Sequence, residues 1–221
     1  LYILQTRAGK RTGAAAIKVA VESFDKGYYD KEHAIMMVEP QAINQLLHKQ
    51  VDPNAVAKPA ASGLNASPGA AVGKIVLDPN RAEEMAGNGE KVILVRDETT
   101  PDDIHGLVVS QGVLTARGGM TSHAAVVARG MGRPCVAGCS TLRIDFEKRT
   151  VEFLGQDGRL SEGDVITLDG TAGNVYIGAL PLVDPKITDE FGKFLSWADE
   201  IRRLRIRTNA DNPRDTRRAY E

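Results

Sequence analysis

The chain has 221 residues, 42% hydrophobic and 26% charged, with 28 Lys and Arg against 29 Asp and Glu for a formal net charge of -1. That composition supports a sizeable core and excludes a broad nucleic-acid-binding surface. No apolar run approaches the ~20 residues of a membrane span and no signal peptide is visible, while two cysteines are too few for a disulfide framework.

The chain opens on the strand-like Leu1-Tyr2-Ile3-Leu4 without a methionine and stops at Glu221 inside a helix-like stretch after Pro213. Both ends lead to the expectation of a piece of a longer protein. From Thr12, a hydroxyl N-cap, Ile17, Val21 and Phe24 recur at helical spacing until Gly27. A second helix is expected from Asp30 to Glu39, before Pro40, and a short third one over 42–49. Residues 51–63 hold two prolines, several alanines and little periodicity, which reads as a linker.

Beyond it the pattern changes to short strands, expected over 70–77, 92–96, 107–110, 113–115, 135–137, 150–154, 165–168 and 174–177. Helical stretches separate some of them. Residues 81–86 end at Gly87, and Thr100-Pro101-Asp102-Asp103 has a hydroxyl cap, proline at the first position and acids facing the helix dipole. Ala66 to Lys74 lacks the spacing of a P-loop, and reads as a strand entry. Asp169 to Asn174 reads as a turn between the last two strands. The order implies a mixed sheet with helices packed on it, an α/β domain. After Pro181 and Pro185 a long helix is expected near Thr188, with Phe191, Leu195, Ala198, Ile201 and Leu204 on its apolar face. The basic run Arg202, Arg203, Arg205 and Arg207 is read as complementing that helix's C-terminus.

One stretch carries chemistry. Gly118-Gly119-Met120-Thr121-Ser122-His123 runs into the alanine-rich Ala124 to Gly130. Two glycines let the backbone approach a ligand closely, and the unpaired N–H groups and positive dipole end of the next helix attract an anion. His123 falls in that first turn, and a neutral imidazole keeps a nitrogen lone pair able to attack phosphorus. Ala124, Val127, Ala128 and Met131 form a narrow apolar stripe, with Gly130, Gly132 and Pro134 ending the helix. Plainer roles stand beside these. His123 also fits an ordinary helix residue, Thr121 or Ser122 a simple N-cap, and Arg129 a surface salt bridge. Ser122 and His123 point about 100° apart on a helix, so they do not make a nucleophile and base. His33, His48 and His105 are scattered, Cys135 and Cys139 read as small core residues, and no metal site is expected in this chain.

The string from Leu114 to Gly132 closely resembles the phosphohistidine segment of the pyruvate phosphate dikinase family. Residues 4–12 and Arg207-Thr208-Asn209-Ala210-Asp211 support the same resemblance. Phosphoenolpyruvate synthase and enzyme I of the sugar phosphotransferase system look similar, but usually carry Arg where this chain has Met120. A non-catalytic interaction module that retains the fold is the alternative of another class.

The resemblance implies a swivelling β/β/α phosphohistidine fold. It also implies the edge of an ATP-grasp domain over 1–15, a helical linker over 16–62, the phosphohistidine domain over 63–178, a linker helix over 179–204 and the start of a pyruvate-binding barrel over 205–221. It makes His123 the phosphoryl carrier, with Gly118, Gly119, Thr121, Ser122 and Arg129 cradling phosphate. Thr121 corresponds to a threonine phosphorylated by a regulatory kinase, and Gln5 and Arg7 to residues that hold ATP phosphates once the rest of the ATP domain is present. The implied partners are the ATP-grasp and barrel domains of the same polypeptide, ATP, phosphate and pyruvate, and a regulatory kinase and phosphatase. The implied setting is a Mg2+-dependent homodimer in the cytoplasm, or in an organelle of a eukaryote, with the magnesium ligands mostly outside this chain and no nucleic acid or membrane involved.

Overall fold

The computed structural model describes residues 2, 5, 11–156, 158–185, 188–205, 213, 216 and 217. It divides into two units, one made of residues 1–39 with 187–221 and the other of residues 40–186.

The first unit is helical. Helix α1 (Gly13–Asp25) starts where the Thr12 hydroxyl accepts the Ala15 N–H at 3.3 Å, and it buries Gly13, Ile17, Ala20 and Val21 along one face. Helix α2 (Lys31–Met36) begins at Asp30, whose Oδ1 accepts the His33 N–H at 2.8 Å, and it stops short of Glu39. The last helix of the chain, Asp189–Ile201, starts on the expected Thr188 cap and packs against both. Its buried residues are Phe191, Phe194 and Trp197, and Leu204 is exposed beyond its end. The aromatic side chains offer more apolar area than Leu195 and Leu204, so they set the face. Phe24 meets Trp197 at 4.6 Å between ring centres, and Lys31–Glu200 and Lys193–Asp25 pair at 2.6 Å on the outside.

The second unit follows in chain order as α3 (Pro40–Leu46), β1 (Gln50–Val51), β2 (Ala61–Ser62), β3 (Leu64–Ser67), β4 (Ala70–Val76), α4 (Pro79–Gly87) and β5 (Val92–Arg96). A 3-10 turn (Pro101–Asp103) then runs into α5 (Ile104–Val109), followed by β6 (Gly112–Thr115), α6 (His123–Gly130) and β7 (Cys135–Ala137). The remaining strands are β8 (Leu142–Asp145), β9 (Thr150–Phe153), β10 (Arg159–Ser161), β11 (Val165–Asp169), β12 (Asn174–Ile177) and β13 (Leu182–Val183), and the helix of the first unit at Asp189–Ile201 is α7.

Eight strands form one sheet in the order β2-β12-β11-β4-β5-β6-β7-β3. Its centre, β4 to β7, is parallel, and both margins are antiparallel. Parallel neighbours require crossovers, supplied here by α4, α5 and α6. Alternate residues of the same strands therefore serve two cores. Val76, Val92, Leu94, Val113 and Ala137 face Ala82, Met85, Leu107, Ala124 and Ala128 of the helices. Ile75, Ile93, Val95, Leu114 and Val136 face the other way, onto Leu142, Val151 and Phe153 of a three-stranded antiparallel sheet ordered β10-β9-β8. Strands β1 and β13 pair as a separate ribbon where the chain enters and leaves this unit. The result is the mixed α/β architecture expected, layered small sheet, large sheet, helices.

One expected strand is a helix. Residues 107–110 were expected to extend, but α5 carries 104–109 and only Ser110 is extended. The helix start at Thr100-Pro101 continues through them, and Gly106 lets α5 lie against α4, where a Cβ would sit 2.6 Å from the Pro79 Cα. The apolar run Leu107-Val108-Val109 is short enough to fit either element, so its flanks decide.

Candidate active site

The site grows from the end of β6. Strands β5 and β6 stay paired past their ends, because the Ala116 N–H donates to the Arg96 carbonyl at 3.0 Å and the Arg117 N–H to the Asp97 carbonyl at 2.7 Å. The Thr115 hydroxyl donates to the Arg117 carbonyl at 2.7 Å, which turns the chain out of the sheet. Gly118 then takes a φ of +105°, open to glycine at little cost. A Cβ there would lie 2.9 Å from the Ser122 Cβ, whereas one on Gly119 would meet nothing within 4 Å. The first glycine is thus needed by the turn, and the second leaves open space where a side chain would stand.

Ser122 is the N-cap of α6, in extended conformation, and its Oγ accepts the Ala125 N–H at 3.4 Å. Thr121 is exposed and lies just before that cap. No acidic residue occupies the first turn, so the free N–H groups and the dipole of this end keep their preference for an anion. His123 is the first helical residue and is half-buried. Its Nε2 is buried and has no hydrogen-bond partner, an unusual condition for a polar atom inside a fold. Ala124, Ala125 and Ala128 bury the inner face of α6 against β3, β6 and β7. Met120, Val126 and Met131 are exposed.

Arg129 stands in the last turn, six residues from His123, and its Nη2 donates to the Ala66 carbonyl of β3 at 2.6 Å. That bond ties the far end of α6 to the sheet edge. Cys135 follows in β7, where burial pushes its thiol up to about 12 against the opposing pull of the Arg129 guanidinium. Such a thiol is inert as a nucleophile. Gln5 is exposed, and Arg7 lies outside the described residues. The structure thus brings Gly118, Gly119, Thr121, Ser122 and His123 together on one loop and helix start, and places Arg129 at the other end of the helix. Among the described residues, no group of three or more His, Cys, Asp and Glu is placed to hold a metal ion, and no helix is long and apolar enough to cross a membrane.

Two residues that the sequence reading did not single out support this loop from behind. Gly138 has a φ of +62°, and a Cβ on it would lie 2.6 Å from the Gly118 carbonyl oxygen. Thr115 accepts the Gly138 N–H on its hydroxyl at 3.4 Å and the Cys139 N–H on its carbonyl at 2.9 Å. A glycine immediately after the strand Cys135-Val136-Ala137 was the available signal. Beside the base of the loop, a cleft of about 520 Å3 is lined by Asp97, Arg117, Ser140 and Arg143, which adds two guanidinium groups to the surroundings.

This geometry defines a class. A glycine-opened loop, an anion-seeking helix start and a histidine with a free ring nitrogen sit within the stretch 88–173, which matches the family described as PEP-utilising enzyme, mobile domain. Over nearly its whole length the chain is also similar to pyruvate, phosphate dikinases, so the resemblance carried by its motifs extends well past them. It is 49% identical to the Rhizobium meliloti (strain 1021) pyruvate, phosphate dikinase over 99% of this chain and 24% of that one. It is 51% identical to the chloroplastic pyruvate, phosphate dikinase 1 of Arabidopsis thaliana over 97% of this chain and 22% of that one. The Entamoeba histolytica enzyme is 46% identical over 100% of this chain and 25% of its own. The chain therefore spans about a quarter of the length of these relatives.

Proposed function

We propose that this chain is the phosphoryl-carrying part of a pyruvate phosphate dikinase, a phosphotransferase that interconverts ATP, phosphate and pyruvate with AMP, pyrophosphate and phosphoenolpyruvate. The observation that carries the reading is the β6–α6 junction, where a histidine Nε2 without a protein partner sits at a helix start that has no acid of its own. The buried Nε2 must first turn outward with its ring. Its lone pair then attacks the β-phosphorus of ATP, the N–P bond forms, and the bridging P–O bond breaks with its electron pair leaving on AMP. An oxygen of inorganic phosphate next takes the terminal phosphoryl group and releases pyrophosphate. Once a base of the barrel domain has taken a proton from the methyl group of pyruvate, the enolate oxygen takes the remaining phosphoryl, and the electron pair of the broken N–P bond returns to the imidazole.

In each step the N–H groups of the loop and helix start stabilise the developing charge, which is the main work of a protein in phosphoryl transfer. Gly119 gives the phosphate its approach, Gly118 shapes the turn, Thr121 presents backbone and hydroxyl donors, and Ser122, whose N–H donates to the Gly119 carbonyl at 3.0 Å, presents its hydroxyl. Arg129 joins the cradle only if it leaves the Ala66 carbonyl. Magnesium neutralises phosphate charge in such reactions. The described residues offer it no cage, so its ligands are assigned to the rest of the polypeptide.

In this reading residues 1–15 are the edge of an ATP-grasp domain in which Gln5 and Arg7 hold ATP phosphates. Residues 63–178 are the carrier, flanked by linkers over 16–62 and 179–204, and 205–221 begin the pyruvate barrel. The carrier swings between the two partner domains in a cytoplasmic or organellar homodimer. Phosphorylation of Thr121 by a regulatory kinase switches the enzyme off, and a phosphatase restores it.

The test is His123→Asn in the full-length protein, which should lose all acid-labile, base-stable labelling from ATP while its melting temperature stays the same. Labelling that persists would remove His123 as carrier. Phosphate-dependent pyrophosphate release by the unmodified protein separates a dikinase from a phosphoenolpyruvate synthase or enzyme I, and a non-catalytic module would take no label at all.

A further inference from the structure

The parallel strands have a second edge, opposite the histidine. Lys91 precedes β5, Gln111 precedes β6 and Pro134 precedes β7, and these residues line a cleft of about 500 Å3 that is closed on its far side by His48, Lys49 and Leu182 beside the β1–β13 ribbon. Its size lies within the roughly 300–1,000 Å3 of small-molecule sites. The floor is tight. Gly69 takes a φ of +109°, and a Cβ on it would sit 3.1 Å from the Pro134 Cγ and 3.5 Å from the His48 Cβ.

The charge of the lining is one-sided. Lys49, Lys91 and Arg133 are cations, His48 adds a ring that can donate, and the one lining acid, Asp184, pairs with Lys49 at 3.0 Å. Among the described residues neither Lys91 nor the Arg133 guanidinium has an ion-pair partner, and that guanidinium donates a 3.4 Å hydrogen bond to the Val108 carbonyl. A structural salt-bridge network would have paired these two. Two uncompensated cations match the charge of about -1.5 to -2 on a phosphate monoester, and the arginine fork suits phosphate oxygens. Pro68, Val72 and Leu182 supply apolar wall for the carbon skeleton.

We propose that this cleft is a binding site for a small phosphate monoester, with Lys91 and Arg133 holding the phosphate and Gln111 and His48 orienting it. The site is separate from the histidine loop, since β6 has four residues and a strand of that length spans roughly 13 Å. It does not depend on the carrier role of His123. A bound ligand would brace the ribbon through which the chain enters and leaves the unit against the strand ends, giving a small metabolite a hold on the position of that ribbon.

The experiment is a titration of the 15N-labelled chain with glycerol 3-phosphate, followed through amide shifts. Saturable shifts at Gly69 to Val72, Gln111, Gly132 and Arg133 are expected, and the Lys91→Gln, Arg133→Gln double variant should bind about tenfold or more weakly with an unchanged melting temperature. A second preparation, His123→Asn, should bind unchanged, which keeps this site apart from the phosphohistidine reading. The proposal falls if shifts are confined to Gly118 to His123, if the double variant binds as tightly as the parent, or if glycerol or citrate produces the same saturable shifts as the phosphate ester.

Discussion

Two junctions of this molecule occupy equivalent places and are built to opposite ends. Each carries the chain from the C-terminal end of a parallel strand into a crossover helix. After β5 the carboxylate of Asp103 fills the helix start. It accepts the Thr100 N–H at 2.9 Å and the Thr100 hydroxyl at 3.4 Å, it lies 3.4 Å from an Arg96 guanidinium nitrogen, and it is 3% exposed. After β6 the first turn contains no acid, only the Ser122 cap and His123. Helix starts attract negative charge, and here one is satisfied from within while its neighbour carries no acid of its own. The contrast supports the proposed site more sharply than the helix start alone, because the fold shows on the adjacent strand what a purely structural solution looks like.

The largest effect comes from breaking the closed junction. Asp103→Ala leaves the Arg96 charge without its partner and the Thr100 N–H without its acceptor, and should cost about 3 kcal/mol of stability. A shift in the urea midpoint with unchanged slope measures it. A loss below about 1 kcal/mol would mean that the carboxylate is not closing this helix start.

The open junction is tested next through its glycine pair. Gly118→Ala forces a side chain into a left-handed conformation and against Ser122, and should cost about 2 kcal/mol. Gly119→Ala meets no atom within 4 Å and has no left-handed φ to strain, so its stability should stay within about 0.5 kcal/mol. If Gly119 is where phosphate approaches, that same substitution slows labelling of His123 in the full-length protein. Equal destabilisation by the two would erase the distinction between a shaping glycine and an open one.

Much of this was legible in the chain. The α6 segment announces itself by a hydroxyl cap, small residues on its inner face and a glycine stop, all local signals that tertiary packing leaves intact. The central strands are legible because burial on both faces makes them continuous apolar runs, as in Val92-Ile93-Leu94-Val95. The strands of the small sheet were harder. Only one face of β8, β9 and β10 is covered, so Arg143, Glu152 and Arg159 interrupt the pattern, and only β9 was foreseen. Strand or helix at Leu107 depended on the reach of the Thr100 start, which a short apolar run does not encode. In the site, the glycines and hydroxyls were readable. The support of Gly118 by Gly138 was signalled only by a glycine immediately after β7, and the use of Arg129 on the Ala66 carbonyl arises between elements distant in sequence and has no local signature.

Converting the open junction into the closed kind makes the third test. Thr121→Asp places a carboxylate just before the α6 cap, as phosphorylation would place about -1.5 to -2 charges. The domain should gain or keep stability, by about 0.3–1 kcal/mol, because the helix start favours the charge. Labelling of His123 in the full-length protein should fall about tenfold or more, a barrier rise of about 1.4 kcal/mol, since the incoming phosphate meets a like charge. Thr121→Val keeps labelling near the parent level. Undiminished labelling in Thr121→Asp would leave Thr121 without an electrostatic role.

The smallest effect belongs to Ser122. Its hydroxyl accepts the Ala125 N–H at 3.4 Å, at the long end for such a bond, so Ser122→Ala should cost about 0.5–1 kcal/mol rather than the upper limit for a lost cap. The Cβ that packs over Gly118 is retained in this variant, so the turn is preserved and only the oxygen is lost. Thermal melting of the chain reads that cost, and labelling of the full-length protein reads the rest. A cap alone predicts a slightly lower melting temperature and labelling close to the parent. A hydroxyl that also donates to the bound phosphate predicts the same small melting change with a several-fold slower transfer, because the two measurements then report different partners of one oxygen. Ser122→Thr, which keeps the oxygen, should restore both; failure to restore labelling while restoring the melt would place the effect in the shape of the loop and return Ser122 to the structural role that Asp103 fills next door.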